Sequence, residues 1–240
     1  MIPILRLECG HYPLGVIFDL DGTLIDNEEL HKTLFQDTAR SLGYSLSDDE
    51  YRSRLSGLTD SEVMEYILAA AHRSRSISEL VTVKLGRYLK QIQTGGVQTI
   101  PGAVPFVRSL RECGVRIAVA TNASKREADI AVALLGLADV VETCVTIESV
   151  TRGKPAPDIH LRAARLLGLA PSDCLVYEDS LHGIQAAVAA GMRVVSVGRT
   201  GYDRVRQAGA MMMIEDFDGH DLPAMLPPLT SSPRSNAAIL

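Results

Sequence analysis

The sequence predicts an α/β fold, a doubly wound and mainly parallel sheet with a four-helix subdomain inserted after its first strand. Three observations support this prediction. An apolar run, "VIFDLD" at residues 16 to 21, is typical of a buried strand. From about residue 97 onward, short β-rich runs alternate with helical patterns. Between these regions, residues 27 to about 95 have helical periodicity with no intervening strand.

The alternating region begins with a predicted strand at 114–122, "GVRIAVATN", and a predicted helix at 124–136. Ser124 and Glu127 have the spacing of a capping box, and Gly136 is a common helix stop. The same cycle continues with further strands and helices, which are predicted at 141–147, 157–168, 174–179, 181–191 and 193–198. Alternation of this kind predicts a parallel sheet with helices on both of its faces.

The inserted region contains three Ser/Thr-x-x-Glu pairs, a spacing that starts helices. These pairs are Ser47 with Glu50, Thr59 with Glu62 and Ser76 with Glu79. We therefore predict four helices here, joined to the rest of the chain by two adjacent crossings that indicate a hinge. The predicted organisation is a core at 1–26 and 96–225, a helical subdomain at 27–95 and a flexible, Pro/Ser-rich tail at 226–240.

Composition narrows the classes of function. The chain has 240 residues, 46% of them hydrophobic and 22% charged, which is ample for a buried core. A formal net charge of −5 without a Lys/Arg run argues against nucleic acid as a partner. No segment is long and apolar enough to span a membrane, and the N-terminus lacks the pattern of a secretion signal. We therefore expect a cytoplasmic protein, and nothing in the sequence points to a protein partner.

The cysteines favour a reducing compartment. They are widely scattered, with no C-x-x-C pair and no histidine cluster beside them, at Cys9, Cys113, Cys144 and Cys174. Buried free thiols are therefore expected rather than disulfides or a zinc site.

Polar residues suited to phosphate chemistry fall at the ends of the predicted strands and in the loop after the third. In a parallel sheet these ends share one edge, where ligands bind. The residues are Asp19, Asp21, Thr121, Asn122, Lys154, Glu178 and Asp179. Each has an ordinary structural interpretation when taken singly, such as a turn at Asp21-Gly22 or a surface lysine before Pro155. Their occurrence in order at successive strand ends predicts a single site.

The chemistry of these residues points to phosphoryl transfer. Asp19 and Asp21 are two strand positions apart and point to the same side, so their repulsion requires a cation. With Asp179 they form an oxygen-rich site suited to Mg²⁺. Asp19 can attack phosphorus because a carboxylate is ionised at neutral pH. Asp21 can act as general acid and base if only its backbone carbonyl binds the metal, while Lys154 and Thr121 hold the anion.

The motifs "DLDGT", "ATN", "GKPAPD" and "EDSLHG", in that order, make the chain resemble the haloacid dehalogenase superfamily from about residue 14 to 220. The resemblance implies a Rossmann-like core with a helical cap. It implies Asp19 as nucleophile and Asp21 as acid/base, a residue that the dehalogenase branch lacks. It further implies Mg²⁺ held by Asp19, the Asp21 carbonyl and Asp179 beside Glu178, and a phosphoryl group bound by Thr121, Asn122 and Lys154. In several relatives the bond equivalent to Lys154-Pro155 is cis.

Within the superfamily, the chain resembles both sugar-phosphate phosphatases and β-phosphoglucomutase. The mutase branch has a basic residue in the cap loop that grips a second phosphate. Here that loop, "RLSGLTDSE" at 54–62, has Asp60 where the arginine is expected and Ser56 where a lysine is expected. This favours hydrolysis, although Arg52 or Arg54 could compensate. Candidate cap contacts to substrate are His31, Gly57 and Thr59, with an exposed helix position as the alternative for His31.

The leading prediction is a Mg²⁺-dependent phosphatase that hydrolyses a small phosphorylated metabolite, such as a sugar phosphate, through an aspartyl-phosphate. The alternative within the family is a phosphomutase of the β-phosphoglucomutase type. A phospho-signalling receiver domain also combines clustered acids with a threonine and a lysine on a doubly wound sheet. Receivers have no helical insertion, so residues 27–95 argue against that class.

Overall fold

A single parallel sheet forms the centre of the computed structural model, which describes residues 13–96, 98–198 and 200–220. Six strands of the described residues pair in this sheet: β1 (Gly15–Phe18), β2 (Arg116–Ala120), β3 (Thr143–Val145), β4 (Cys174–Glu178), β5 (Arg193–Val197) and β6 (Met212–Ile214). Their order across the sheet is β3-β2-β1-β4-β5-β6, and every pair is parallel. The doubly wound sheet is therefore confirmed.

The inserted region between β1 and β2 is helical, as predicted. Its α-helices are α1 (Glu28–Ser41), α2 (Asp48–Glu50), α3 (Asp60–Ala70) and α4 (Ile77–Gly95). Because α2 has only three residues and continues directly as a π-helix over Tyr51–Leu55, the second predicted helix is a composite segment. Thr59 and Glu62 form a complete capping box at the start of α3. These helices bury their own apolar side chains, which include Phe35, Met64 and Ile67.

The helices after the insert cover both faces of the sheet. They are α5 (Ala103–Glu112), α6 (Lys125–Leu134), α7 (Asp158–Leu166), α8 (Leu181–Ala189) and α9 (Tyr202–Gln207). α5 and α6 pack with Val16 and Phe18 on one face. α7, α8 and α9 pack with Ile17 on the other face. Because both faces are covered, strands such as β1 are apolar at every position, as expected for a parallel sheet.

The register of the central strands brings the site residues together. Phe18, the last residue of β1, is paired with Val119 of β2 and Tyr177 of β4. Asp19 therefore emerges between the ends of two neighbouring strands. The chain passes from β1 to β2 and β3 on one side and then crosses to β4 on the other side of β1, and such a reversal of strand order is where parallel sheets open a crevice for ligands.

Two of the predicted thiols are present as free cysteines, Cys144 and Cys174. Burial raises the pKa of each of them to about 11. Cys9 and the predicted tail at 226–240 lie outside the described residues. Among the helices that are described, none is long and apolar enough to cross a membrane.

Candidate active site

Asp19 lies at the carboxyl edge of the sheet, immediately after β1. Its N–H donates to the Tyr177 carbonyl at 2.9 Å, which extends the strand pairing by one residue and fixes where the side chain points. Lys154 Nζ donates to Asp19 Oδ1 at 2.5 Å. Burial raises the pKa of Asp19 well above its ordinary value, the Lys154 charge opposes this, and the neighbouring carboxylates reinforce it. The surroundings of Asp19 thus disfavour its negative charge, and a further cation would stabilise the ionised form.

Two more acids complete a cluster beside Asp19. Ligand atoms of Asp19, Glu178 and Asp179 all lie within 4.8 Å of one another. Glu178 accepts hydrogen bonds from Lys154 and, through Oε2, from the Ser180 N–H and hydroxyl at 3.2 and 3.1 Å. Burial raises the pKa of Asp179 well above its ordinary value, and Asp19 and Glu178 raise it further. A divalent cation would relieve this repulsion, and three hard oxygen donors fit Mg²⁺.

Lys154 lies beneath this cluster with 2% of its surface exposed. Burial lowers its pKa, but the two carboxylates that it contacts, Asp19 and Glu178, more than reverse this, so the net pKa lies above the ordinary value. Lys154 is therefore a fixed positive charge at the strand ends. The Lys154-Pro155 bond is cis.

Thr121 and Asn122 follow β2 on the same edge. Thr121 lines the central cavity, and its hydroxyl accepts from the Ala123 N–H at 3.1 Å. The Asn122 side chain accepts from the Lys154 N–H at 3.0 Å and donates to the Gly57 carbonyl at 2.8 Å. Asn122 therefore connects the lysine loop to the cap loop through its side chain.

Asp21 lies close to Asp19 but outside the three-acid cluster. Asn27 donates to its Oδ1, and His31 Nε2 lies 3.6 Å from the same oxygen. Burial raises the pKa of Asp21, but His31 and Asn27 outweigh this, so the net pKa is below the ordinary value. The His31 pKa is raised in turn, although burial and Lys84 oppose the shift. His31 is buried against Asp21, so the alternative of an exposed helix position does not hold.

Lys84, which no pattern in the sequence indicated as a site residue, is a fully buried lysine in the middle of α4. Its Nζ lies 2.8 Å from His31 Nδ1, and it donates to Asp60 at 2.9 Å. It also lies 3.5 Å from Glu127 on α6. Lys84 thus links the cap to the core, and the negative charge of Asp60 is already paired with it.

The cap and the core enclose a cavity of about 60 Å³. This is below the few hundred Å³ of a typical ligand site, but two wider openings adjoin it, one at Asp179 and Ser180 and one at Asp60 and Glu127. Of the candidate cap contacts, Gly57 and His31 line the cavity, whereas Thr59 is used in the capping box of α3. The cavity lining also includes Asp60, which the cap-loop comparison singled out, and Glu28, Tyr51 and Glu127, which no motif indicated as site residues.

Residues 16–197 match the family model described as haloacid dehalogenase-like hydrolase. The chain belongs to this family. It is 35% identical over 189 residues to Protein CbbY of Rhodobacter capsulatus, covering 75% of this chain and 83% of that protein. It is 32% identical over 183 residues to Hexitol phosphatase A of Escherichia coli, covering 76% of this chain and 82% of that protein.

A solved structure supports the same assignment. A haloacid dehalogenase hydrolase of family IA, variant 3, from Entamoeba histolytica superimposes with a TM-score of 0.77 at 26% identity. The match covers 88% of this chain and 96% of that one. The resemblance inferred from the four motifs is therefore confirmed, and the chain is a haloacid dehalogenase-like hydrolase with a helical cap.

Proposed function

We propose that this hydrolase is a Mg²⁺-dependent phosphatase acting on a small phosphomonoester, such as a sugar phosphate, in the cytoplasm. The observation that carries the proposal is the convergence of Asp19, Lys154 and Asp179 in one buried site, with Asp21 beside it and outside the acidic cluster. The 32% identity to a hexitol phosphatase supports the same class of reaction. Neither nucleic acid nor a membrane is part of the proposal.

The metal would be held by Asp19, Asp179 and the backbone carbonyl of Asp21, with Glu178 beside them. When bound, Mg²⁺ neutralises charge on the phosphoryl oxygens. Lys154 supplies a second positive charge, and the Thr121 hydroxyl is available to the same oxygens. Positioning and charge neutralisation are the two main requirements of phosphoryl transfer.

Two proton transfers accompany the proposed reaction. An Asp19 oxygen forms a bond to phosphorus while the bond from phosphorus to the ester oxygen breaks, and the leaving oxygen takes a proton from Asp21, which must gain that proton beforehand because its pKa is lowered in the free protein. Water then attacks the aspartyl-phosphate, loses a proton to Asp21, and releases phosphate and the free Asp19 carboxylate. His31 and Asn27 orient the Asp21 carboxyl for both transfers.

The phosphomutase alternative is less well supported. A mutase must hold a second phosphate at the cap, where this chain has Asp60 in the cavity lining. The nearby cation, Lys84, is already paired with Asp60 and Glu127. A second phosphate would therefore meet carboxylates at this part of the cap.

A phosphate-release assay over a panel of phosphorylated metabolites tests the proposed function. With Mg²⁺ present, we expect release of inorganic phosphate from a sugar monophosphate without added bisphosphate. Chelation with EDTA should abolish the release, and excess Mg²⁺ should restore it. Isomerisation of the sugar phosphate that depends on a bisphosphate would instead indicate the mutase, and full activity in EDTA would exclude the metal requirement.

Gly22 gives a structural test of the proposed metal site. It has φ of +79°, and an added Cβ would lie 2.3 Å from Asp179 Oδ2. We expect Gly22→Ala to displace Asp179 and to raise the Mg²⁺ concentration needed for half-maximal activity about 10- to 100-fold. Backbone strain should also cost about 1 kcal/mol of stability.

Gly43 provides the matched control for that substitution. It has φ of +86°, and an added Cβ would have no atom within 4 Å. Gly43→Ala should lower the free energy of unfolding by a similar amount and leave the Mg²⁺ requirement unchanged. Equal Mg²⁺ requirements in the two variants would show that Asp179 does not contribute to metal binding.

A further inference from the structure

Glu127 has one carboxylate oxygen, Oε1, that forms an ion pair with Lys84 and accepts no hydrogen bond within the described residues. Its Oε2 accepts from the Ser124 N–H at 3.0 Å and from the Ser124 hydroxyl at 2.7 Å, as part of the capping box of α6. Its Oε1 is buried and has no hydrogen-bond partner among the described residues, although Lys84 Nζ lies 3.5 Å away. A buried acceptor that makes no hydrogen bond is costly, so this oxygen can gain from a further donor.

Glu127 is a lining residue of the central cavity. Glu127 is 5% exposed and lines that cavity together with Asp60, from the cap loop, and Asp21. The capping box holds the carboxylate at its other oxygen, so Oε1 cannot turn away without breaking two hydrogen bonds. Glu127 is thus an acceptor of fixed orientation in the lining of the cavity that also contains Asp19 and Asp21.

The charges around Glu127 determine which chemical groups can donate a hydrogen bond to it. Lys84 lies between Asp60 and Glu127 and is paired by them, so two carboxylates surround one lysine. A second phosphate would be repelled by this arrangement, whereas a neutral hydroxyl group can donate a hydrogen bond without adding charge.

We propose that Glu127 Oε1 accepts a hydrogen bond from a hydroxyl group of the leaving alcohol, and that Glu127 with Asp60 selects polyhydroxylated monophosphates over bisphosphates. This inference rests on the proposed phosphatase function and adds the class of leaving group to it. Glu127 is a specificity residue here, with no part in the bond-making steps.

Variants of Glu127 test the hydrogen bond by comparing two kinds of substrate. For each variant, kcat/KM is measured with three sugar monophosphates, namely glucose 6-phosphate, glucitol 6-phosphate and ribose 5-phosphate. It is also measured with p-nitrophenyl phosphate, whose leaving group has no further hydroxyl group. The quantity compared is the ratio of kcat/KM for a sugar monophosphate to kcat/KM for p-nitrophenyl phosphate. We expect Glu127→Ala to lower this ratio about 10- to 100-fold for the best sugar monophosphate, as for loss of a hydrogen bond to a charged group. Glu127→Gln keeps the capping oxygen and places an NH₂ donor where Oε1 was, so its ratio should also fall although the capping box is retained.

The same experiment separates this inference from the proposed function. Two results would overturn the inference and leave the proposed phosphatase function standing. One is an unchanged ratio in Glu127→Ala. The other is a wild-type protein that hydrolyses p-nitrophenyl phosphate but none of the three sugar phosphates. A wild-type protein that hydrolyses none of these esters with Mg²⁺ overturns both. Because a loss of folding would lower both rates together, the melting temperature of each variant is recorded and the ratio carries the conclusion.

Bisphosphate discrimination tests the second half of the inference. Glucose 1,6-bisphosphate is compared with glucose 6-phosphate in the wild type, Glu127→Gln and Asp60→Asn. Removing either negative charge should shift the preference toward the bisphosphate several-fold, because Lys84 would then have an unmatched charge. An unshifted preference in both variants would rule out charge selection by Glu127 and Asp60.

Discussion

Replacing Asp19 with asparagine is expected to reduce phosphate release by at least about 10⁴-fold, because the amide cannot act as the nucleophile. The substitution keeps the size and shape of the side chain. Lys154, which donates to Asp19 Oδ1, can still donate to the amide oxygen. Turnover is measured as inorganic phosphate released with saturating Mg²⁺ and the best substrate of the panel.

A matched exposed aspartate controls for the substitution itself. Asp49 lies on α2, is exposed to solvent and is not part of the acidic cluster. Asp49→Asn should retain wild-type turnover, and both variants should have melting temperatures close to that of the wild type. If Asp19→Asn also retained wild-type turnover, Asp19 would not be the nucleophile.

Replacing Asp21 with asparagine is expected to slow turnover about 10²- to 10⁴-fold, the usual contribution of a general acid and base. Asparagine cannot give a proton to the leaving oxygen or take one from the attacking water. The proposed metal contact of this residue is its backbone carbonyl, which the substitution retains. Mg²⁺ binding, measured by calorimetry, should therefore be close to that of the wild type.

The two proton transfers predict a second kinetic difference between the Asp21 variant and the wild type. With an activated ester, whose leaving group needs no proton, the first step should proceed and phosphoenzyme should accumulate because its hydrolysis is slow. Rapid quenching would then show a burst of released leaving group, followed by slow release of phosphate. Normal steady-state rates with an unactivated sugar phosphate would contradict the acid/base assignment.

Much of the fold could be predicted because the hydrophobic pattern of each segment in the sequence matches the burial of its residues in the structure. Strands such as β1 and β4 are buried at every position, so their sequences are continuous apolar runs. The Ser124 and Glu127 spacing predicted a complete capping box at the start of α6, and the structure contains it. The first strand ends at Phe18 rather than at Asp21, because the pairing with β4 continues for only one hydrogen bond beyond it.

Three elements were not predicted individually. β6 is a three-residue strand, "MMI", at the edge of the sheet and is only half-buried, so it has no strong β pattern. α9 has six residues, too few to show periodicity. α5 has Pro105 in its first turn, where a proline is tolerated but weakens a helical prediction.

The site could be predicted only in part. Asp19, Thr121 and Asp179 follow strands, so the geometry of a parallel sheet brings them to one edge. Lys84 and Glu127 meet across the cap and the core, through packing of α4 against α6 that no local pattern encodes. Lysine is rarely buried unless it is paired, and the sequence contains no signal for such a distant partner.

The most direct test of the account is to find where the phosphoryl group resides during turnover. The wild-type enzyme is mixed with Mg²⁺ and an activated phosphate ester labelled in its phosphoryl group, quenched rapidly in acid, digested and mapped by mass spectrometry. We expect one phosphorylated peptide, which contains Asp19, is labile to hydroxylamine and is absent from Asp19→Asn. Phosphate released in the steady state with no labelled protein, or with the label on another residue, would contradict it.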